Sequence, residues 1–380
     1  MKNHILLTGA TGFIGQYLLE RLLEREIPVV VVARGNSERS ANDRIMHVVS
    51  QIEERTNKTL PRPICFTGDL IEPELGLDDF AIEWFEENCR AVLHNAASIR
   101  FHCDGDRSKD PWRSNYSGTK NVLDLCKVAG IREFHHVSTA YVCGNRRDTC
   151  YEHELNVGQT FANDYQESKL EAEKAIRGSD FLDSKTFYRP ALVVGDSRDG
   201  FTSAPDFGLY HYIEFNFQLT RQLRAATGDP GHLELPFRLA MTGNERRNVV
   251  TVDWIADAII HLLTHPELHN ETYNLTPQHP ITSRTVVEGL AKYFNYSGIE
   301  FVGEENVDRS EQTDAERMFY DFASTFESYW DDEPIFDRTN TDRALGDVLP
   351  TPRLDDECMQ RIIDYPVREC FAKKAQETTS

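Results

Sequence analysis

The chain has 380 residues, enough for one large domain or two modest ones with a real core, and its 40% hydrophobic and 27% charged residues are ordinary for a globular protein. Its formal charge of −21 argues against a nucleic-acid partner, because phosphate backbones are bound through clustered Lys and Arg. The acid excess serves solubility and leaves room for a small anionic ligand in one local basic pocket.

The first expected element is the strand His4–Leu7, whose apolar stretch is too short for a secretory core and runs straight into TGATGFIG and a helical pattern over Ile14–Glu24. Gly9, Gly12 and Gly15 then lie where a strand turns into a helix, with Thr11, Phe13 and Ile14 between them. Glycine tightens such a turn and removes the Cβ that would meet a ligand, while the unpaired N–H groups of the first helical turn face a diphosphate. The spacing Gly-x-x-Gly-x-x-Gly is one residue longer than the commonest dinucleotide fingerprint.

A second run, Pro28–Ala33, ends at Arg34. An acidic residue there would bind a ribose 2′-OH, whereas a guanidinium, with Arg39 close by, suits a 2′-phosphate, so NADP(H) is the expected cofactor. This longest aliphatic run is too short to cross a bilayer, and no membrane partner is expected. A helical pattern over Ser40–Glu54 leads to the run Ile64–Thr67, followed by Asp69-Leu70 where an adenine amino group is recognised. After a helix near Ala81–Glu87 comes Ala91–His94, and then Asn95-Ala96-Ala97, small residues where backbone passes close to a cofactor. Next are a helix over Trp112–Ala129, the run Phe134–Val137 ending in Ser138-Thr139-Ala140-Tyr141, a helix over Asp164–Arg177, and the run Thr186–Val194. Continuous rather than alternating hydrophobicity, in strand–helix alternation, predicts an α/β fold: a doubly wound parallel sheet of Rossmann type with a smaller C-terminal substrate-binding lobe.

Tyr165 and Lys169 are one turn apart on one helix face. A nearby ammonium stabilises a phenolate, and a phenol so tuned gives a proton to a carbonyl oxygen as hydride reaches its carbon. A hydroxyl at the end of the preceding strand would hold the same oxygen.

After Gly195 the pattern is less regular. The expected division is 1–200 for the dinucleotide-binding domain, with 226–265 returning to it, and 201–225 with 266–380 for the lobe. Its aromatic-dense stretch proposes Tyr210, His211 and Phe215, with Ser138 and Tyr141, as substrate contacts, although much of it reads as ordinary core. Met318, Phe319, Tyr320, Phe322, Phe326, Tyr329 and Trp330 read as a buried stripe. The eight cysteines show no CxxC and no zinc spacing, and Pro266 separates His265 from His269, so no metal is expected. Cysteine usage points to a reducing, cytoplasmic location.

TGATGFIG, HNAA, Asn115-Tyr116-Ser117-Gly118-Thr119, VSTAYVCG, YQESK and YRPALVVGDS together resemble an extended short-chain dehydrogenase/reductase from about residue 3 to residue 200. The resemblance makes Thr139 the catalytic hydroxyl, Tyr165 the acid/base, Lys169 also a ribose ligand, and Asn115 the holder of a structural water in the proton relay. It puts Pro190 and Val193 against the nicotinamide. HVSTAYVCG, YRPALVVGDSRDGFT and Arg34 look most like the thioester-reductase branch, which includes fatty acyl-CoA reductases and the reductase domains of nonribosomal peptide synthetases. The chain shows none of their adenylation or carrier domains and no membrane-associated tail. The expected function is an NADPH-dependent reductase of a thioester, aldehyde or ketone carbon in a lipophilic or aromatic biosynthetic intermediate. The substrate is small, free or linked to CoA or a carrier protein, and a homodimer is compatible. Two alternatives stay open: a sugar-nucleotide epimerase that returns its hydride, and a non-catalytic NADP-binding sensor. Ala140-Tyr141 after Thr139 removes the Asp-Glu pair that a 4,6-dehydratase needs.

Overall fold

The computed structural model describes residues 2–101, 104–307, 312–323 and 331–377; Phe326, Tyr329 and Trp330 of the expected stripe lie outside them. The chain divides into two compact units, Met1–Ala191 with Val252–Thr276 and Phe336–Thr351, and Leu192–Thr251 with Pro277–Ile335 and Pro352–Ser380.

The first unit holds a seven-stranded sheet: β1 His4–Thr8, β2 Val29–Ala33, β3 Ile64–Thr67, β4 Cys89–His94, β5 Glu133–Val137, β6 Ser184–Pro190 and β7 Thr272–Leu275. The strands are parallel and run β7-β6-β5-β4-β1-β2-β3 across the sheet. The order reverses between β1 and β4, and ligands of such sheets bind outside the carboxyl ends of strands at that crevice. The glycine turn and Asn95-Ala96-Ala97 follow these two strands.

Four buried valines in β2 and the buried run Ala91–His94 in β4 need cover on both faces, and helices supply it. Helix α1 Phe13–Glu24 packs against α2 Ala41–Thr56 and α7 Val252–Thr264, and α4 Gly118–Val128 packs against α3 Asp79–Asn88 and α5 Asp164–Arg177. Leu6, Val30, Val92, Phe134, Val122, Leu125 and Ile176 form one continuous core between sheet and helices.

Two details depart from the expected elements. The Trp112–Ala129 pattern contains a π-turn, Arg113–Ser117, before α4 begins. The run Thr186–Val194 is two strands, because β6 ends at Pro190 and Leu192–Val194 pairs with Val249–Thr251 in the second unit.

The second unit contains α6 Leu209–Thr227, α8 Ser283–Phe294 and the parallel pair Leu233–Leu239 and Tyr296–Phe301. Its core gathers Tyr210, Ile213, Phe294, Met359 and Ile362. Residues 226–251 lie in this unit, and 252–276 and 336–351 in the first. The four residues of β7, Thr272–Leu275, join the sheet edge beside β6. Phe319 and Tyr320 are buried while Met318 is exposed. Among the described residues the seven cysteines are free, and no helix is long and apolar enough to cross a membrane.

A buried ion pair ties α5 to β6. Arg189 Nε and Nη2 donate to the two Glu173 carboxylate oxygens at 2.9 and 2.8 Å, with both side chains enclosed. Burial alone would raise the Glu173 carboxyl, but the Arg189 fork outweighs it and holds it low. Replacing Arg189 by Met leaves the buried Glu173 carboxylate with only the longer Arg177 contact at 3.4 Å and lowers the unfolding free energy by about 3 kcal/mol in urea melts; an unchanged midpoint would remove the pair from the fold's support.

Candidate active site

The glycine turn is built by exclusion. Gly9 has φ +71°, and a Cβ there would come within 2.7 Å of the Ala96 backbone. At Gly15 a Cβ would lie 1.9 Å from the Gly9 carbonyl oxygen, so α1 can approach the turn only with glycine at that position. Gly12 caps α1 with no side-chain hydrogen bond, and no acidic residue occupies the first turn. The first amides of α1 are thus left without a competing side-chain anion, as a phosphate site requires. Behind the turn, Thr8 Oγ1 accepts from the amides of Asn95 and Ala96, each at 3.1 Å, and Asn95 Nδ2 donates to the Gly9 carbonyl at 3.3 Å. Thr11, Phe13 and Ile14 are half-buried on the turn.

At the end of β2, Arg34 is 65% exposed, and its Nη1 lies 3.4 Å from Asp69 Oδ2. Its carbonyl accepts from Arg44 Nη1 at 2.6 Å. A cavity of about 270 Å³ is lined by Thr11, Asn36, Glu38, Arg39, Arg44, His47 and Val48. Arg44 and His47 were not singled out from sequence; their signal was one helical spacing, residues 44 and 47 on the start of α2, pointing back toward the glycine turn's Thr11. Asp69 also accepts from the Ile71 amide at 3.2 Å, and the Leu70 carbonyl accepts from Asn121 Nδ2 at 2.7 Å, which fixes this strand-end loop.

Helix α5 begins at a capped N-terminus. Asn163 is extended, at φ −159°, and its side chain accepts from the Gln166 amide. Tyr165 follows in the first turn, half-buried, with its ring edge-on to Phe101 at 5.8 Å. Lys169, one turn on, is 1% exposed. Its Nζ donates to the Val137 carbonyl at 2.8 Å and lies 3.3 Å from His136 Nε2. Burial pushes the Lys169 ammonium down to about 7, opposed by the negative charge of Glu173.

Of the other residues expected to be catalytic, Asn115 is tied to α5 and Thr139 stands just after β5. Thr139, at the end of β5, is buried; its Oγ1 donates to the Pro190 carbonyl at 3.4 Å and accepts from the Tyr141 amide at 3.3 Å. Asn115 lies in the π-turn and clamps Ser98, accepting from its amide at 2.7 Å and donating to its carbonyl at 2.9 Å. Asn115 Nδ2 also donates to Ser168 Oγ at 3.0 Å, which joins the π-turn to α5. Ser138 is buried with its hydroxyl near Glu173, and Tyr141 stands edge-on to Phe336 at 6.4 Å.

The remaining expected contacts stand in the second unit. Val193 is in the short strand paired with Val250. Tyr210 is buried, its phenol oxygen accepting from the Gly195 amide at 2.6 Å. Phe215 stacks on Phe322 at 5.0 Å, and burial lowers His211. Tyr210 and Phe215 thus serve the packing of that unit.

One cluster was not foreseen. Glu133, His135 and His269 bring ligand-type atoms within 4.8 Å of one another. Glu133 is already paired with Arg90 at 3.1 Å, and His135 Nδ1 bonds the Tyr188 hydroxyl at 2.8 Å, so the group reads as a satisfied structural network.

The male sterility protein family profile matches residues 7–259. The chain is 24% identical over 293 residues to a nonribosomal peptide synthetase, asaC of Aspergillus flavus, covering 73% of this chain and 26% of that protein. It is 34% identical over 155 residues to fatty acyl-CoA reductase 1 of Gallus gallus, covering 38% of this chain and 29% of that one. It therefore spans only about a quarter to a third of these relatives. Among solved structures, the terminal R domain from the myxalamid PKS-NRPS biosynthetic pathway shares the fold with a TM-score of 0.77 at 23% identity, over 97% of this chain and 92% of that one.

The low Lys169 value has a thermodynamic consequence. Between pH 7 and the ordinary lysine value of about 10.4, the unfolded chain holds a proton that the folded chain has released, so the residue's contribution to stability rises with pH there. The melting-point difference, Lys169→Met minus parent, should fall as pH is raised from 6 to 9; a pH-independent difference would contradict a depressed lysine.

Proposed function

The chain belongs to the male sterility protein family, in the thioester-reductase and fatty acyl-CoA reductase-like branch of the extended short-chain dehydrogenase/reductases, and from that premise we propose that it is an NADPH-dependent reductase of a carbonyl-type carbon. The observation that carries this reading is the fully buried Lys169 with its ammonium lowered to about 7, one helical turn after Tyr165 and bonded to the Val137 carbonyl at the end of β5. A lysine desolvated this far is costly to keep, and such cost is met at reaction centres more often than at structural ones.

The residues fit a nicotinamide dinucleotide. Gly9, Gly12 and Gly15 with the uncapped first turn of α1 would hold the diphosphate. Asp69 and Leu70 would take the adenine, and Arg34, Arg39 and Arg44 the 2′-phosphate. Asn95, Ala96, Ala97 and Pro190 would take the nicotinamide side. When bound, NADPH supplies the hydride.

The chain's own residues handle the oxygen of the substrate. Thr139 Oγ1 orients it by a hydrogen bond. Tyr165 gives its phenolic proton to that oxygen as negative charge develops there. The Lys169 ammonium stabilises the phenolate left behind and binds ribose hydroxyls. Asn115 braces the reaction centre by holding Ser98 and Ser168 in place. An acyl group carried as a thioester on CoA or a carrier protein is the substrate class, in keeping with the synthetase and acyl-CoA reductase relatives.

Tyr165→Phe should lower NADPH oxidation with acyl thioesters, aldehydes or ketones by about 100-fold or more while NADPH still binds; undiminished turnover would remove Tyr165 from the chemistry. Arg39→Ala with Arg44→Ala should weaken NADPH by more than about tenfold and NADH by less than about threefold; equal losses in fluorescence titrations would mean that these arginines do not read the 2′-phosphate.

A further inference from the structure

We propose that His136 is a positioning residue for Lys169, accepting a hydrogen bond from its ammonium and donating one to its amine, so that Nζ is held at the end of β5 in both protonation states. The inference rests on Lys169 acting in the reaction proposed above.

His136 immediately precedes Val137, whose carbonyl takes the other Lys169 hydrogen bond, and its Nε2 is 3.3 Å from Nζ. The ring is fully buried, stacked on His94 at 5.3 Å and edge-on to Phe187 at 6.4 Å. His94 is pinned at both ring nitrogens, by Thr8 Oγ1 at 2.8 Å and Thr119 Oγ1 at 2.9 Å, so the stack on which His136 rests is fixed. His136 Nδ1 is buried with no hydrogen-bond partner among the described residues.

That asymmetry links the two side chains. An ammonium only donates, so facing Lys169⁺ the Nε2 atom must be bare and the ring proton sits on unpartnered Nδ1. A neutral amine offers a lone pair, so the proton moves to Nε2 and Nδ1 is relieved. The ring tautomer therefore follows the charge of the lysine. The imidazolium is excluded, because burial and the adjacent Lys169 charge hold His136 well below its ordinary value. The other groups facing the pair are Glu173 and Arg177 from α5, His94 from β4, and Arg189 from β6 acting through Glu173. Deleting the imidazole removes an acceptor from the ammonium, so Lys169 should lose its charge at lower pH.

Two variants and one spectrum test this. With the carbonyl substrate that the parent turns over, His136→Phe should cut turnover about tenfold at pH 8 but less than about threefold at pH 6. His136→Gln keeps an acceptor near the Nε2 position and should stay within about threefold of the parent at both. In ¹⁵N-histidine NMR of the parent, one ring should change from the Nδ1–H to the Nε2–H tautomer near pH 7, and that change should vanish in Lys169→Met. A loss in His136→Phe that is equal at all pH values, or a tautomer indifferent to Lys169→Met, would overturn the proposal. If the parent turns over no carbonyl compound, the reductase reading fails, and the spectrum alone decides the pair. If His136→Phe does not fold, His136→Gln and the parent spectrum decide it.

Discussion

The burial of one ammonium group organises this site. Lys169 is enclosed at the carboxyl end of β5, where its Nζ meets the Val137 carbonyl and His136, and the field of Glu173 opposes the desolvation that lowers it to about 7. A lysine in water would be charged at every physiological pH and would do little to a neighbouring phenol through a high dielectric. Enclosed, it acts over a short distance with little screening, which is where a tyrosine one turn away gains most.

The rest of the first unit keeps that arrangement in place. The Glu173–Arg189 fork binds α5 to β6 and gives the lysine a negative neighbour whose own charge is already matched. Asn115, in the π-turn before α4, ties the loop after β4 to α5 through Ser98 and Ser168. Thr8 ties the same loop to the glycine turn and also bonds His94, whose second ring nitrogen meets Thr119. One buried polar network thus runs from the turn suited to a diphosphate to the strand end suited to proton transfer.

Much of this was legible in the sequence where local chemistry dictated local structure. The helical pattern over Asp164–Arg177 coincides with α5, and the glycine spacing announced a turn that tolerates no Cβ at Gly9 or Gly15. What stayed hidden depends on distant partners. Four residues of β7 carry no periodicity and are a strand only because β6 presents an edge. The π-turn at Asn115 looks like ordinary helix in a pattern of apolar positions. Arg34 and Arg39 stand out beside the second strand, whereas Arg44, which lines the same cavity as Arg39 and donates to the Arg34 carbonyl, sits in a helical pattern where its reach cannot be read. The aromatic residues of α6 stay ambiguous in sequence for a different reason: an aromatic side chain reads the same whether it packs a core or lines a pocket, and Phe215 stacks on Phe322.

The most direct measurement is a crystal structure with NADP⁺ and an aldehyde or alcohol ligand bound. The Tyr165 hydroxyl should lie within hydrogen-bond distance of the ligand oxygen, with Lys169 Nζ on the nicotinamide ribose and the diphosphate on the first turn of α1. A dinucleotide bound elsewhere, or a Tyr165 hydroxyl directed away from the nicotinamide ring in that complex, would contradict the assignment of this site to proton and hydride transfer.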